Sequence, residues 1–166
     1  MASVLDYRRE FFEIPEKKRE ARSHLLVFGG SQGARAINNA IADSLEALSP
    51  HQDKLSITHQ TGDVDFERIK AVYAESEFAD ADVRPFITDI SGEFAKADLL
   101  ICRAGATTCA EIAAAGKAAI MIPLPTAADD HQRKNAEALE NAGAVRMWPC
   151  ADLPPQPEPR RIRSTH

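Results

Sequence analysis

A cluster of glycines follows an apolar run in the segment LLVFGGSQGARAINNAI, residues 25–41. Gly29, Gly30 and Gly33 can adopt positive φ and let the backbone approach a ligand closely. Ser31 can cap the helix predicted to follow, whose first N–H groups have no partners within the helix. Those groups and the helix dipole favour a phosphate. The pattern is neither G-x-G-x-x-G nor a P-loop, so a plain tight turn and a phosphate site both stay open.

A second glycine-bearing turn lies in RAGATTCAE, residues 103–111. Its purely structural interpretation is a capping box, because Thr108 and Glu111 fit the T-x-x-E pattern. In the functional interpretation, this turn and the turn at 29–34 hold the two ends of one nucleotide. A carboxylate such as that of Glu111, at a helix start, can accept hydrogen bonds from both hydroxyls of a ribose.

A third polar segment is PTAADDHQRKNA, residues 125–136. Asp129 or Asp130 can cap the helix predicted to follow. His131 and Gln132 then lie in its first turn. His131 can be a surface residue or a catalytic base, and Gln132 can hydrogen-bond a sugar hydroxyl. The sequence contains no recognisable Ser-His-Asp arrangement or carboxylate pair.

Strands and helices are predicted to alternate along the chain, and several strands are apolar throughout rather than alternating. This pattern is typical of a parallel sheet covered on both faces, and so of an α/β, Rossmann-like doubly wound fold. In such folds ligands lie outside the carboxyl ends of the strands. The three segments above each follow a strand, so we expect them at one edge of the sheet. The strands are predicted at 24–28, 55–62, 83–87, 98–102, 118–124 and 144–148.

The length of 166 residues predicts one domain. We assign residues 1–23 to a linker and residues 24–153 to the folded domain. Residues 154–166 are predicted to be a disordered tail, since five of the ten prolines fall within 149–159.

Composition argues against several classes of protein. The net charge is −5 and the two signs are interleaved, which does not favour a nucleic-acid partner. Cys102, Cys109 and Cys150 form no C-x-x-C motif and are predicted to be reduced thiols, and the five histidines lack metal-ligand spacing. No apolar run approaches the roughly 18 residues of a membrane span, and no signal peptide is visible, so a cytoplasmic location is expected.

Taken in order, six segments of the chain resemble the donor-binding, C-terminal domain of the MurG-type N-acetylglucosaminyltransferases of glycosyltransferase family 28. The resemblance covers most of residues 7–153. The segments are YRREFFEIP (7–15), FGGSQGARAIN (28–38), HQTG (59–62), PFITDI (85–90), ADLLICRAGATTCAEIAAAGKAAIMIPLP (97–125) and DDHQRKNAEAL (129–139).

The resemblance implies half of a GT-B fold, in which two Rossmann-like domains face each other across a cleft and the donor lies mainly on the second. Matched by position, Gly30 and Ser31 would approach the diphosphate of the UDP-sugar donor. Arg8 would contact the same diphosphate, and Ile87 would lie against the uracil.

The remaining positions implied by the resemblance lie in the second and third segments. Thr107 and Thr108 would occupy the turn on the phosphate side, and Glu111 would take the ribose hydroxyls. His131 and Gln132 match the pair that reads the hydroxyls of N-acetylglucosamine.

The family makes lipid II from lipid I in peptidoglycan synthesis, with UDP-N-acetylglucosamine as the donor. It inverts the anomeric centre by direct displacement, with no metal ion or other cofactor implied. The general base would come from the N-terminal domain, so no catalytic residue is predicted in this chain. Full-length members are peripheral on the inner face of the plasma membrane, where the lipid-linked acceptor lies.

The sequence also departs from the family pattern. The acceptor-binding N-terminal domain is absent, Leu5 and Asp6 stand where Asn-Pro usually precedes Arg8, and the family's C-terminal helices do not follow Leu153. The chain therefore looks like a fragment. Three alternatives follow: the donor-binding subunit of a split glycosyltransferase with a separate N-terminal-domain chain, an inactive truncated nucleotide-binding fragment, or a related protein with another UDP-sugar.

Overall fold

Six parallel strands form one sheet in the computed structural model, which describes residues 9–15, 17, 20–30, 34–124 and 130–149. The sheet order is β3-β2-β1-β4-β5-β6. The predicted tail, residues 154–166, lies outside the described part. The strands are β1 (Ser23–Phe28), β2 (Leu55–Gln60), β3 (Asp82–Arg84), β4 (Leu99–Cys102), β5 (Ala119–Met121) and β6 (Val145–Met147).

Helices connect consecutive strands, so the predicted α/β doubly wound class is confirmed. A short 3-10 helix, Ser49–Lys54, follows the second α-helix and contains Pro50. The α-helices are α1 (Arg9–Phe12), α2 (Arg35–Leu48), α3 (Phe66–Ala74), α4 (Ile90–Lys96), α5 (Ala106–Ala115) and α6 (Asp130–Asn141).

The order of the strands reverses between β1 and β4. The chain first proceeds outward from β1 through β2 to β3, and then returns to place β4 on the other side of β1. The loops that follow β1 and β4 therefore leave the sheet side by side and turn to opposite faces. Such a switch point creates a crevice at the carboxyl edge of a parallel sheet.

Two apolar cores lie on the two faces of the sheet. Alternate side chains of β1 enter different cores: Leu26 and Phe28 belong to one, and Leu25 and Val27 to the other. Because both faces are buried, β1 has no polar face, which explains its unbroken apolar run. The first core contains residues of α4, α5 and α6, and the second contains residues of α2 and α3.

The first helix is part of the core. Phe11 in α1 is fully buried, and its ring meets that of Phe94 edge-on with 5.0 Å between centroids. Nearby, Lys17 Nζ lies 2.7 Å from the carboxylate of Asp98. Phe11 and Lys17, both within the predicted linker 1–23, thus contact the domain.

Glycine and proline stand at two element ends, and the predicted reduced thiols are confirmed for two of the three cysteines. Gly116 ends α5 in the left-handed region, at φ 61°, where glycine is favoured. Pro85 directly follows the edge strand β3, and Cys102 and Cys109 are buried free thiols. Burial raises the pKa of both thiols. Cys150 lies outside the described residues.

Within the part of the chain that the structure describes, no helix is long and apolar enough to cross a lipid bilayer. The same residues contain no group of three or more His, Cys, Asp or Glu side chains that could hold a metal ion.

Candidate functional site

The three segments predicted to carry chemistry meet around one cavity at the switch point between β1 and β4. The cavity has a volume of about 540 Å³ and opens at the carboxyl edge of the sheet. The prediction that these segments share one edge is therefore confirmed. The lining residues are Phe28, Gly29, Gly30, Ala34, Arg35, Ala36, Arg103, Gly105, Thr108, Leu124 and Gln132.

The first wall of the cavity is the turn between β1 and α2. Gly30 has a φ of 90°, and a Cβ added there would meet no atom within 4 Å. Backbone conformation rather than space therefore favours glycine at this position. The helix begins at Arg35 with Ala34 as its N-cap residue and no side-chain cap. The N-cap position is Ala34. Ser31, which was predicted to cap this helix, lies outside the described residues.

The start of α2 faces the cavity through Ala34, Arg35 and Ala36. The first N–H groups of a helix have no acceptors within it, and the side chain of the N-cap residue Ala34 cannot supply one here. Together with the positive end of the helix dipole, these amides create a favourable place for an anion.

The second wall is the turn between β4 and α5. Gly105 is the N-cap residue, with φ −65° and ψ 148°, and no side chain caps this helix either. The capping-box interpretation is therefore wrong: Thr108 is the third residue of the helix, and Glu111 lies almost one turn further on. Thr108 lines the cavity, while Thr107 is exposed. Glu111 is buried, with 5% of its surface exposed, and is not among the cavity-lining residues.

The third wall is the start of α6. Gln132 lines the cavity, and its Oε1 accepts a hydrogen bond from the backbone N–H of Leu124 at 3.0 Å. His131 is exposed on the same turn. One turn later, Asn135 Nδ2 donates to the carbonyl oxygen of Ala104 at 3.1 Å, which fastens α6 to the second turn.

Arg103 supplies positive charge that sequence reasoning missed. Its Nη1 donates to the carbonyl oxygens of Ile122 at 3.0 Å and Pro123 at 3.2 Å, and the residue lines the cavity. Arginine has five N–H donors, more than these two carbonyls use. The available signal was its position, directly after a buried strand and before a glycine turn. Arg35 adds a second guanidinium, mostly exposed, 3.8 Å from the carboxylate of Asp65.

One further predicted site residue, Ile87, lies away from the cavity lining. Ile87 is 5% exposed, and it belongs to the core cluster that contains Phe28 and Phe94 rather than to the cavity lining. Arg8 lies outside the described residues. Gly30, Thr108 and Gln132 are thus the predicted residues that the structure brings together around the cavity.

A network of buried polar side chains connects α2 with β2 and α3. Asn38 Nδ2 donates to the carbonyl oxygen of Thr61 and to the carboxylate of Asp65, both at 2.9 Å. His59 Nε2 lies 3.1 Å from Asn38 Oδ1, and His59 Nδ1 lies 3.1 Å from the hydroxyl of Tyr73. Burial lowers the pKa of His59 to about 4, so the imidazole is neutral. The network fixes α2 relative to β2 and α3.

Asp65 is the charged member of this network. Burial raises its pKa, but hydrogen bonds from Asn38 and Arg68 and the charges of Arg68 and Arg35 outweigh burial, so the pKa is lowered overall. The carboxylate is therefore ionised at neutral pH, and it holds Arg68 at 3.1 Å beside the start of α3.

Together these features define a class: a Rossmann-like α/β domain with an anion-favouring cavity at the switch point of its sheet. Residues 24–158 match the family described as glycosyltransferase family 28 C-terminal domain. The chain belongs to this family.

Curated relatives agree with this assignment. The chain is 53% identical over 125 residues to the UDP-N-acetylglucosamine–N-acetylmuramyl-(pentapeptide) pyrophosphoryl-undecaprenol N-acetylglucosamine transferase of Trichlorobacter lovleyi, covering 75% of this chain and 32% of the relative. It is 47% identical over 149 residues to the transferase of the same name from Solibacter usitatus, covering 90% of this chain and 41% of the relative. The chain thus spans less than half the length of these relatives.

Solved structures give the same result. The crystal structure of Acinetobacter baumannii MurG matches with a TM-score of 0.70 and 38% identity, over 89% of this chain and 41% of that chain. The solution structure of ALG13 matches with a TM-score of 0.53 and 15% identity, over 81% of this chain and 82% of that chain. At this low identity the second match shows the fold alone.

Proposed function

We propose that this chain is the donor-binding domain of an inverting N-acetylglucosaminyltransferase that makes lipid II from lipid I with UDP-N-acetylglucosamine. Family membership and the names of the relatives support the substrate and the reaction. The observation that carries the proposal is the single cavity at the switch point, which joins the glycine turn, the start of α5 and the start of α6.

The diphosphate of the donor would lie between the turn at Gly30 and the start of α5. The amides at the start of α2 and the guanidinium of Arg103 offer positive charge at this place, and Thr108 offers a hydroxyl donor. Ser31 and Arg8 join them in this proposal by the family resemblance. These groups would do two things: bind the ground-state diphosphate, and stabilise the negative charge that grows on it as UDP leaves.

The sugar and the nucleoside would extend to opposite sides of the diphosphate. Gln132 and His131, in the first turn of α6, would read the hydroxyls of N-acetylglucosamine. Glu111 would accept hydrogen bonds from the ribose hydroxyls, with Thr107 nearby on the first turn of α5. Ile87 would lie beside the uracil, with its side chain held in the core.

The reaction is a direct displacement at C1 of the sugar. A hydroxyl oxygen of the lipid-linked acceptor attacks C1, the bond from C1 to the β-phosphate oxygen breaks, and UDP departs with the electron pair. A base on an acceptor domain takes the proton of the hydroxyl. This chain supplies donor binding and leaving-group stabilisation, so it needs an acceptor domain, either fused or as a separate chain. We expect the domain to work in the cytoplasm, and the complete enzyme to sit on the inner face of the plasma membrane.

Isothermal titration calorimetry with UDP-N-acetylglucosamine tests the proposal. We expect saturable heat, and weaker competition from UDP-N-acetylgalactosamine. Arg103→Met should lower the affinity about tenfold or more, because a charged hydrogen bond to the diphosphate is lost. Arg146→Met, an exposed residue on β6, is the matched control and should bind normally.

Absence of heat from a chain shown to be folded by circular dichroism would overturn the binding proposal. Transfer activity is a separate question. Adding the acceptor domain of a relative as a second chain should restore lipid II formation if the domain is competent. Binding without any transfer in that mixture would instead indicate an inactive fragment.

A further inference from the structure

Gln60, the last residue of β2, is hydrogen-bonded to Gly30 in the turn that follows β1. Its Nε2 donates to the carbonyl oxygen of Gly30 at 2.7 Å, although 30 residues separate the two in the sequence. Only 4% of the surface of Gln60 is exposed, and the residue is not among those lining the cavity. A ligand in the cavity therefore has no need to touch Gln60 for the residue to influence binding.

The register of the sheet explains why Gln60 reaches the turn. Gln60 pairs with Phe28, the last residue of β1, so its side chain stands beside the point at which the chain leaves the sheet. The backbone beyond Gln60 is itself held: the N–H of Thr61 donates to the carbonyl oxygen of Arg84, and the carbonyl oxygen of Thr61 accepts from Asn38. Gln60 thus connects the turn to a fixed part of the sheet.

The bond acts on a residue with a demanding backbone conformation. Gly30 has a φ of 90°, a region open mainly to glycine, and a glycine without restraint also samples many other conformations. The hydrogen bond restrains the carbonyl group of Gly30 and with it the rotation of the backbone at this glycine, which lines the cavity. One neutral side chain can therefore hold a cavity-lining residue in one conformation.

We propose that Gln60 is a positioning residue for the donor diphosphate: it holds the backbone of Gly30, which lines the cavity, in place for the phosphate groups. The inference rests on the proposed function, since it concerns the same cavity. Preorganisation of this kind raises affinity by reducing the entropic cost of fixing Gly30 on binding. Gln60 would act on the phosphate part of the ligand and leave the nucleoside part unaffected.

The test compares UDP with uridine, because only UDP carries the diphosphate. Affinities of both are measured by NMR titration for the wild-type chain, Gln60→Met and Gln60→Asn. Methionine keeps the length of the side chain but has no donor, and asparagine keeps the donor but is one methylene too short. Gln52→Met is the matched control, since Gln52 precedes β2 at the other end of the strand.

We expect both Gln60 variants to bind UDP about tenfold more weakly, the effect of losing one hydrogen bond to a group that then moves. Uridine should bind within about twofold of wild type, and Gln52→Met should bind both ligands normally. A variant that is partly unfolded loses both affinities by the same factor, so the ratio of the two stays informative.

Two results would overturn the inference while leaving the proposed function intact: unchanged UDP binding by both Gln60 variants, or equal losses for UDP and uridine. If the wild-type chain binds UDP no more tightly than uridine, the proposed function is wrong, and so is the proposed role of Gln60.

Discussion

The side chain of Gln132 accepts a hydrogen bond from the backbone N–H of Leu124, at 3.0 Å. A backbone N–H can only donate, so the side-chain oxygen of Gln132 must face Leu124, and the orientation of the amide is settled by its partner. The NH₂ group then points away from Leu124 and is the part of Gln132 that can donate to a ligand. A glutamate at this position would lose that donor and add a negative charge.

Gln132→Glu should keep the bond to Leu124 and lose the donor. We expect the affinity for UDP-N-acetylglucosamine to fall about tenfold further than the affinity for UDP, because only the sugar nucleotide loses a hydrogen bond to a sugar hydroxyl, while the added negative charge weakens the binding of both ligands. Calorimetric titration with each ligand measures this. Asn141→Asp, at the exposed far end of the same helix, adds the same charge and is the control for a change of charge alone. Equal losses for both ligands would show that Gln132 does not read the sugar.

Glu111 offers a second test, since the structure removes the simplest structural role for it. Gly105 caps α5, so the carboxylate of Glu111 belongs to no capping box. Glu111→Gln keeps the volume but loses the charge that favours two ribose hydroxyls. We expect UDP affinity to fall at least tenfold, as for a charged hydrogen bond, and the loss of binding free energy to exceed the loss in the free energy of unfolding. Urea unfolding and UDP titration give the two quantities. A larger loss of stability than of binding would assign Glu111 to the fold.

The class of fold could be predicted from the sequence, because each apolar strand and each helix has its own local sequence pattern. The run at β1 and the glycine after α5 indicate their elements without any knowledge of their neighbours. The order of the strands was not accessible in this way. That β4 pairs with β1 depends on contacts between residues about 75 positions apart, such as Leu25 with Leu99.

The candidate site was predictable to the extent that it is made of turns. Gly30, Thr108 and Gln132 follow strands, and the rule that ligands lie at the carboxyl ends of parallel strands places them together. The first residue of each helix was harder to predict. Ser31 and Thr108 carry the hydroxyl groups that are typical of N-cap residues, but the N-cap residues are Ala34 and Gly105, which have no side-chain oxygen. The supporting bonds, such as Gln60 to Gly30, require the register of the sheet and have no local signal.

Phe11 and Phe12 are neighbours with opposite surroundings, which makes them a matched pair. Phe11 is fully buried against Phe94, whereas Phe12 is 64% exposed. Phe11→Ala should lower the free energy of unfolding by about 3 to 5 kcal/mol, the cost of a cavity in a packed core. Phe12→Ala should change it by less than about 0.5 kcal/mol. Urea unfolding at equilibrium measures both. Similar small effects would mean that α1 does not belong to the folded domain.

His59 should make the stability of the domain depend on pH. Asn38 donates through its Nδ2 to Thr61 and Asp65, so its oxygen accepts from His59 Nε2–H, and Nδ1 accepts from the hydroxyl of Tyr73. Both nitrogens are thus used by the neutral imidazole. Burial holds the pKa near 4 in the folded state, below the ordinary value of 6.5, although the charge of Asp65 opposes this shift.

Because the unfolded chain takes up the proton first, this contribution to stability is complete above the unfolded pKa of 6.5 and is lost as pH falls toward 4. From about pH 7.5 to about pH 5 the loss should be about 2 kcal/mol, since one pKa unit corresponds to about 1.4 kcal/mol. His24, whose pKa is also lowered by burial, adds to the same trend. Urea unfolding across this range should therefore show a shallower dependence for His59→Gln than for wild type, while the exposed His51→Gln variant should retain the full dependence. Identical slopes for wild type and His59→Gln would show that His59 is not held neutral by its burial.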